Sequence, residues 1–268
     1  MSASVPVSLL LVVEIGNTTT SFVVLDGDEC LVVKSLLTAA LDEAGLVSGI
    51  FSELRGAFKE LKDVVVCSVV PAAARVIQRH LQKRLAGLFF SVTSSITLPF
   101  TLDYDIPESF GADRLALCAL SRYRYPDRAV IALDIGTALT FDVLGSNGDY
   151  LGGLIMPGLE MRSRALHERT AQLPLVGIER SATLIGRSTK ECIMNGIFWG
   201  CVSEIEGLIS KIERHVQETY GEERPVVIAT GGSAPLIAGL LDSLTLHDEY
   251  AVIRGAGYLF RLNRPTLF

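Results

Sequence analysis

The sequence predicts an α/β protein assembled from two related halves. Three observations lead there. Short apolar runs alternate with longer segments of helical periodicity, which is the rhythm of strands covered by helices. An apolar run ending in a carboxylate, an apolar residue and a glycine occurs twice, as Leu11-Val12-Val13-Glu14-Ile15-Gly16 and Ile131-Ala132-Leu133-Asp134-Ile135-Gly136. Each copy is followed by a second apolar run, an acidic glycine turn (Asp26-Gly27-Asp28, Asn147-Gly148-Asp149) and a third run.

In chain order, strands are expected at Leu9 to Glu14, Ser21 to Leu25 and Cys30 to Ser35, joined by turns. A helix follows near Leu41 to Lys62, then a strand at Val64 to Val69, a helix at Ala72 to Leu85, a strand at Leu88 to Val92 and a helix from Gly111 to Tyr123. The second half repeats the opening with strands at Ala129 to Ile135, Thr140 to Leu144 and Tyr150 to Ile155. Helices are expected near Gly158 to Arg169, Ser188 to Trp199 and Gly200 to Gly221, then a strand at Val226 to Ala229 before Thr230-Gly231-Gly232-Ser233. The repeat places a boundary near Tyr125-Pro126-Asp127, giving domains 1–125 and 126–268. No low-complexity linker parts them, so a shared interdomain cleft is expected.

Composition narrows the function classes. With 49% hydrophobic and 20% charged residues in 268, the chain can bury a sizeable core. A formal charge of −6 supplies no basic stripe for phosphate neutralisation, so no nucleic-acid partner is expected and a small molecule is the better substrate class. The apolar run Val7 to Val13 stops at Glu14 and lacks a basic flank, so it reads as a buried strand rather than a signal or a membrane span, which needs about 20 apolar residues. Cys30, Cys67, Cys118, Cys192 and Cys201 form no C-x-x-C pair and read as reduced core thiols of a cytoplasmic protein. His80, His167, His215 and His247 have no metal-ligand spacing and read as surface residues.

A carboxylate at a strand end followed by a glycine turn with hydroxyls can handle phosphate: the glycine admits close approach, N–H and hydroxyl groups donate, and the carboxylate holds a hydrated cation. Such turns also arise for geometry alone, and the register of two copies is what favours function. Neither G-x-x-x-x-G-K-[ST], G-x-G-x-x-G nor G-x-S-x-G is present. Thr230 to Ser233 is a third glycine turn, open to a nucleotide role or to plain helix entry. Asp113, in Gly111-Ala112-Asp113-Arg114, is either a first-turn charge favoured by the helix dipole or a base held beside a cation.

Taken together, seven segments resemble the type III pantothenate kinases of the actin-like, acetate and sugar kinase superfamily, whose domains are ribonuclease H-like. They are Glu14-Ile15-Gly16-Asn17-Thr18, Ser68-Val69-Val70-Pro71, Gly111 to Arg114, Asp134 to Asp142, Tyr150-Leu151-Gly152-Gly153, Ile155-Met156-Pro157-Gly158 and Ile185-Gly186-Arg187-Ser188-Thr189. The resemblance implies duplicated actin-like domains and ATP-dependent phosphorylation of the pantothenate 4′-hydroxyl, the first step toward coenzyme A. It also implies a cytoplasmic homodimer, away from membranes, that requires Mg²⁺ and a monovalent cation, K⁺ or NH₄⁺. By the same resemblance Glu14, Ile15, Gly16, Asn17, Thr18, Thr19, Thr20 and Ser21 form the first phosphate loop, and Thr137 contacts ATP in the second. Asp134 matches the cation ligand and Asp113 the general base. Gly111, Ala112, Arg114, Tyr104 and Thr189 match pantothenate-binding positions. The family's first loop usually begins with Asp, and Glu14 departs from it. That departure opens an alternative, a non-catalytic regulatory or binding homologue, and a small-polyol kinase on the same fold is another.

Overall fold

Strand–turn–strand signals at the start of each half of the chain resolve into two five-stranded sheets in a computed structural model, which describes residues 9–41, 45–82 and 87–264. The first half contributes β1 (Leu10–Ile15), β2 (Thr19–Asp26), β3 (Glu29–Leu37), α1 (Leu46–Ala57), β4 (Asp63–Ser68), α2 (Pro71–Leu81), β5 (Phe89–Ser91) and α3 (Ala112–Arg124). The second contributes β6 (Val130–Ile135), β7 (Ala138–Leu144), β8 (Tyr150–Pro157), α4 (Leu159–Glu168), α5 (Thr189–Tyr220), β9 (Val226–Thr230), α6 (Ala234–Ile237), β10 (Leu246–His247) and α7 (Ala251–Asn263). Residues 83–86, at the end of the helix expected over Ala72 to Leu85, lie outside the described residues.

The sheets share one topology, β3-β2-β1-β4-β5 and β8-β7-β6-β9-β10. In each, the first three strands are antiparallel each to the next and the last two pairs are parallel. The likeness extends to the register: Glu14 pairs with Ser21 as Asp134 pairs with Thr140, and both hairpins shift register at matching places, Val24/Leu25 and Val143/Leu144.

Each sheet packs one face on its main core of helices. Leu11, Val13, Ile15, Phe22 and Val24 alternate onto a core with Phe51 and Leu54 of α1 and Ile77 and Leu81 of α2. Ile131, Leu133, Ile135, Leu139 and Phe141 pack with Ile197, Phe198, Ile205 and Ile209 of α5. That helix runs unbroken through Gly200, where the sequence suggests a division into two helices. An interior glycine costs about 1 kcal/mol against alanine, while burying Ile197 and Phe198 contributes ~1.5–3 kcal/mol each, so packing carries the helix across. By length and apolarity α5 could also cross a membrane, but its buried residues lie in this core.

By packing, the described residues up to Tyr123 form one unit together with those from Tyr250, and Arg124–Glu249 form another. This differs from a division into 1–125 and 126–268 in where the last helix belongs. The apolar side of α7 packs on β1, β2 and β4, with Gly257 against Leu10 and Leu25 and Gly255 against the Ala116 backbone, an approach no larger residue could make. Cys67, Cys118 and Cys201 are buried, as expected of core cysteines, whereas Cys192 is exposed. His167, His215 and His247 are exposed and His80 is half-buried.

Candidate active site

The first turn joins β1 to β2 through Gly16, Asn17 and Thr18. It is closed by Gly16 N donating to Thr19 O at 2.9 Å, and an ideal Cβ on Gly16 would come within 3.3 Å of that same oxygen. Asn17, Thr18 and Thr19 are exposed at its tip. The eight residues expected to meet ATP therefore divide. Ile15 and Thr20 are buried, because strand alternation turns them toward the core with Val13 and Phe22. The Thr20 hydroxyl lies 3.0 Å from that of Thr38, and the Ser21 hydroxyl 3.0 Å from that of Ser35. The exposed part of the segment is Asn17 to Thr19, at the tip of the turn.

Glu14, half-buried at the end of β1, faces Cys67 of β4 in register. Burial first, and then the charge of Asp113, push its carboxyl up to about 7. Burial pushes the Cys67 thiol well above its ordinary range, with Glu14 and Asp113 adding to the effect. The two carboxylates are thus neighbours, although nearly a hundred positions part them in sequence. What brings Asp113 there is the start of α3. An ideal Cβ on Gly111 would lie 2.5 Å from Asp113 Oδ1 and 3.6 Å from Val69 Cγ1, so only glycine lets the carboxylate fold back at the end of β4. Arg114 N donates to that oxygen at 2.8 Å.

Arg114 is buried, with its guanidinium 4.2 Å from the Phe110 ring centroid and 6.0 Å from that of Tyr104. Tyr104 stands edge-on to Phe110 at 5.1 Å. Tyr104, Arg114 and Asp113 are therefore gathered on one stretch of the first unit, as the sequence suggests. Phe110, between two of them, escaped sequence reading; its place one residue before Gly111 was the available signal. Ala112 is buried, so any substrate contact there is through its backbone.

In the second unit Asp134 ends β6. Its Oδ1 occupies the space where a Cβ on Gly136 would stand, 3.0 Å away, and abuts Gly231, which adopts φ +101°. A side chain at position 231 would meet both that carboxylate and the Ile135 backbone, so the third glycine turn exists to let β9 end against the second loop. Thr137 is exposed at the loop tip, and its carbonyl accepts Gly158 N at 3.1 Å. Gly158 also lies against Gly136 O, which gives the Met156-Pro157-Gly158 segment a structural reason. Thr189, exposed, is placed separately at the first turn of α5. Ser188 caps that helix by accepting from Glu191 N at 3.2 Å, and Glu191 accepts Arg187 N at 2.7 Å.

Among the described residues no three His, Cys, Asp or Glu side chains gather into a metal cage. One hard carboxylate at each loop suits a cation that takes its remaining ligands from phosphate oxygens and water, as Mg²⁺ does, so this donor set fits.

The type III pantothenate kinase family model matches residues 10–211. The type III pantothenate kinase of Chlorobium luteolum is 48% identical over 258 residues, covering 96% of each chain. That of Chlorobaculum tepidum is 44% identical, over 98% of this chain and 97% of the relative. Two solved structures share the fold at low identity. A Baf family transcriptional activator from Campylobacter jejuni matches at 22% identity and TM-score 0.56, over 94% of this chain and 98% of its own. Spiroplasma citri MreB5 bound to ADP matches at 11% and 0.52, over 95% and 96%. With the repeated sheet topology, the architecture is that of duplicated actin-like domains. The sequence match spans most of the chain: the protein belongs to the type III pantothenate kinase family.

Proposed function

We propose that this protein transfers the γ-phosphoryl group of ATP to the 4′-hydroxyl of pantothenate. The observation that carries the reading is the Asp113 carboxylate, folded over Gly111 beside Glu14, in a chain of this family. Asp113 accepts the hydroxyl proton as the new O–P bond forms. Arg114, fixed on Phe110, holds the pantothenate carboxylate through its planar donors, with Tyr104 beside it; Thr189 is a pantothenate contact by family resemblance. The N–H and side-chain groups of Asn17 to Thr19 and the hydroxyl of Thr137 receive ATP phosphates. Glu14 would hold Mg²⁺ and Asp134 a monovalent cation such as K⁺, which together neutralise phosphate charge when bound.

The same reading makes the protein a cytoplasmic homodimer. Its test is a coupled assay of the purified chain with ATP, Mg²⁺, K⁺ and pantothenate, set against a panel of sugars and polyols. Turnover with pantothenate alone is expected; turnover with a sugar and none with pantothenate overturns the assignment.

A further inference from the structure

Thr38 follows the edge strand β3, yet it makes two bonds to the first turn and one to the strand that leaves it. Its backbone N–H donates to Thr18 O at 2.9 Å and its hydroxyl donates to Gly16 O at 2.7 Å. The third, at 3.0 Å, is with the buried Thr20 hydroxyl. A carbonyl can only accept and a hydroxyl has one proton, so the bond to Gly16 O commits the Thr38 proton. Thr20 is then the donor to Thr38, giving a directed chain Thr20 to Thr38 to Gly16 in which each bond polarises the next.

The consequence lies on the other side of the turn. In a trans peptide the carbonyl and the following N–H point in opposite directions, and no cis bond occurs among the described residues. Drawing Gly16 O and Thr18 O toward Thr38 therefore turns the N–H groups of Asn17 and Thr19 away from it, and keeps two carbonyl dipoles from facing an anion.

We propose that Thr38 is a positioning residue for ATP: it never touches the nucleotide, but it fixes which face of the turn the phosphates meet. This rests on the reading of the first turn as a phosphate contact, so the experiment tests the two separately. Hydrogen exchange of the wild-type protein with and without ATP examines the turn itself. Slower exchange over residues 16–19 with ATP supports the contact, and unchanged exchange removes both ideas together.

Steady-state kinetics of Thr38→Val, Thr38→Ser and Thr20→Val then examine Thr38. Losing a directing hydrogen bond is expected to raise KM for ATP about tenfold in Thr38→Val with KM for pantothenate unchanged, while Thr38→Ser stays within about twofold of wild type. Thr20→Val, which leaves the Thr38–Gly16 bond but removes the hydroxyl that donates to Thr38, is expected to raise KM for ATP about threefold, and it decides the matter should Thr38→Val not fold. A Thr38→Val protein that is less stable but keeps the wild-type KM for ATP overturns the proposal, as does an unchanged KM in Thr20→Val when Thr38→Val is unfolded.

Discussion

The carboxylate of Asp113 fills the space that a side chain at Gly111 would need, with Oδ1 2.5 Å from an ideal Cβ at that position. The two residues work as one device, glycine giving room and aspartate using it. In Gly111→Ala the carboxylate must swing away, because the other neighbour, Val69, is fixed at the end of β4. A displacement of about an ångström from productive geometry costs up to ~100-fold, so kcat is expected to fall at least tenfold while the thermal midpoint shifts by only a few degrees. Paired kinetics and melting curves check this, and an alanine variant with normal kcat contradicts it.

The Arg114 guanidinium sits 4.2 Å from the Phe110 ring centroid, and a lysine placed there would lack its planar fork of donors. Arg114→Lys is expected to raise KM for pantothenate about tenfold and to leave KM for ATP within about twofold. Equal changes in the two constants would mean that Arg114 does not meet the pantothenate carboxylate.

Glu14 makes stability depend on pH with a definite sign. Its folded pKa of about 7 lies above the ordinary 4.5, so the folded chain binds this proton more tightly than the unfolded one. The stabilisation is fully present below pH 4.5 and is lost as pH rises through about 7. Glu14→Gln, which cannot ionise, is expected to gain on the wild type by up to about 3 kcal/mol between pH 4.5 and 8, read from denaturant midpoints. Parallel profiles for the two proteins would contradict the placing of the Glu14 carboxyl away from water and near Asp113.

Much of this was legible in the sequence. The doubled strand–carboxylate–glycine opening gave the repeated sheet, because strand periodicity and turn chemistry are local. The ordered motifs gave Asp113, Arg114 and Tyr104 as neighbours. What the sequence hid was non-local. The pairing of Glu14 with Cys67 and Asp113 depends on the parallel register of β1 and β4. Thr20 looked like another loop hydroxyl, and only strand alternation turned it inward to Thr38. The docking of α7 on the first sheet follows from tertiary packing that no local pattern records.

Asp134 sits at the end of β6 as Glu14 sits at the end of β1, and it is the residue proposed to hold the monovalent cation. Replacing K⁺ by Na⁺ at matched ionic strength is expected to lower kcat at least tenfold, and Asp134→Asn to remove the difference between the two salts. Equal rates for the wild type in K⁺ and Na⁺ would take this role from Asp134.

The central claim is that Asp113 takes the proton from the pantothenate hydroxyl. Single-turnover phosphorylation by the wild type and by Asp113→Asn, with ATP and pantothenate both saturating, tests it most directly. The wild type is expected to form 4′-phosphopantothenate and ADP in equal amounts. The asparagine variant, which keeps the shape but cannot accept a proton, is expected to be slower by about 100-fold or more while binding both substrates. A variant that transfers phosphate at near the wild-type rate would contradict the account.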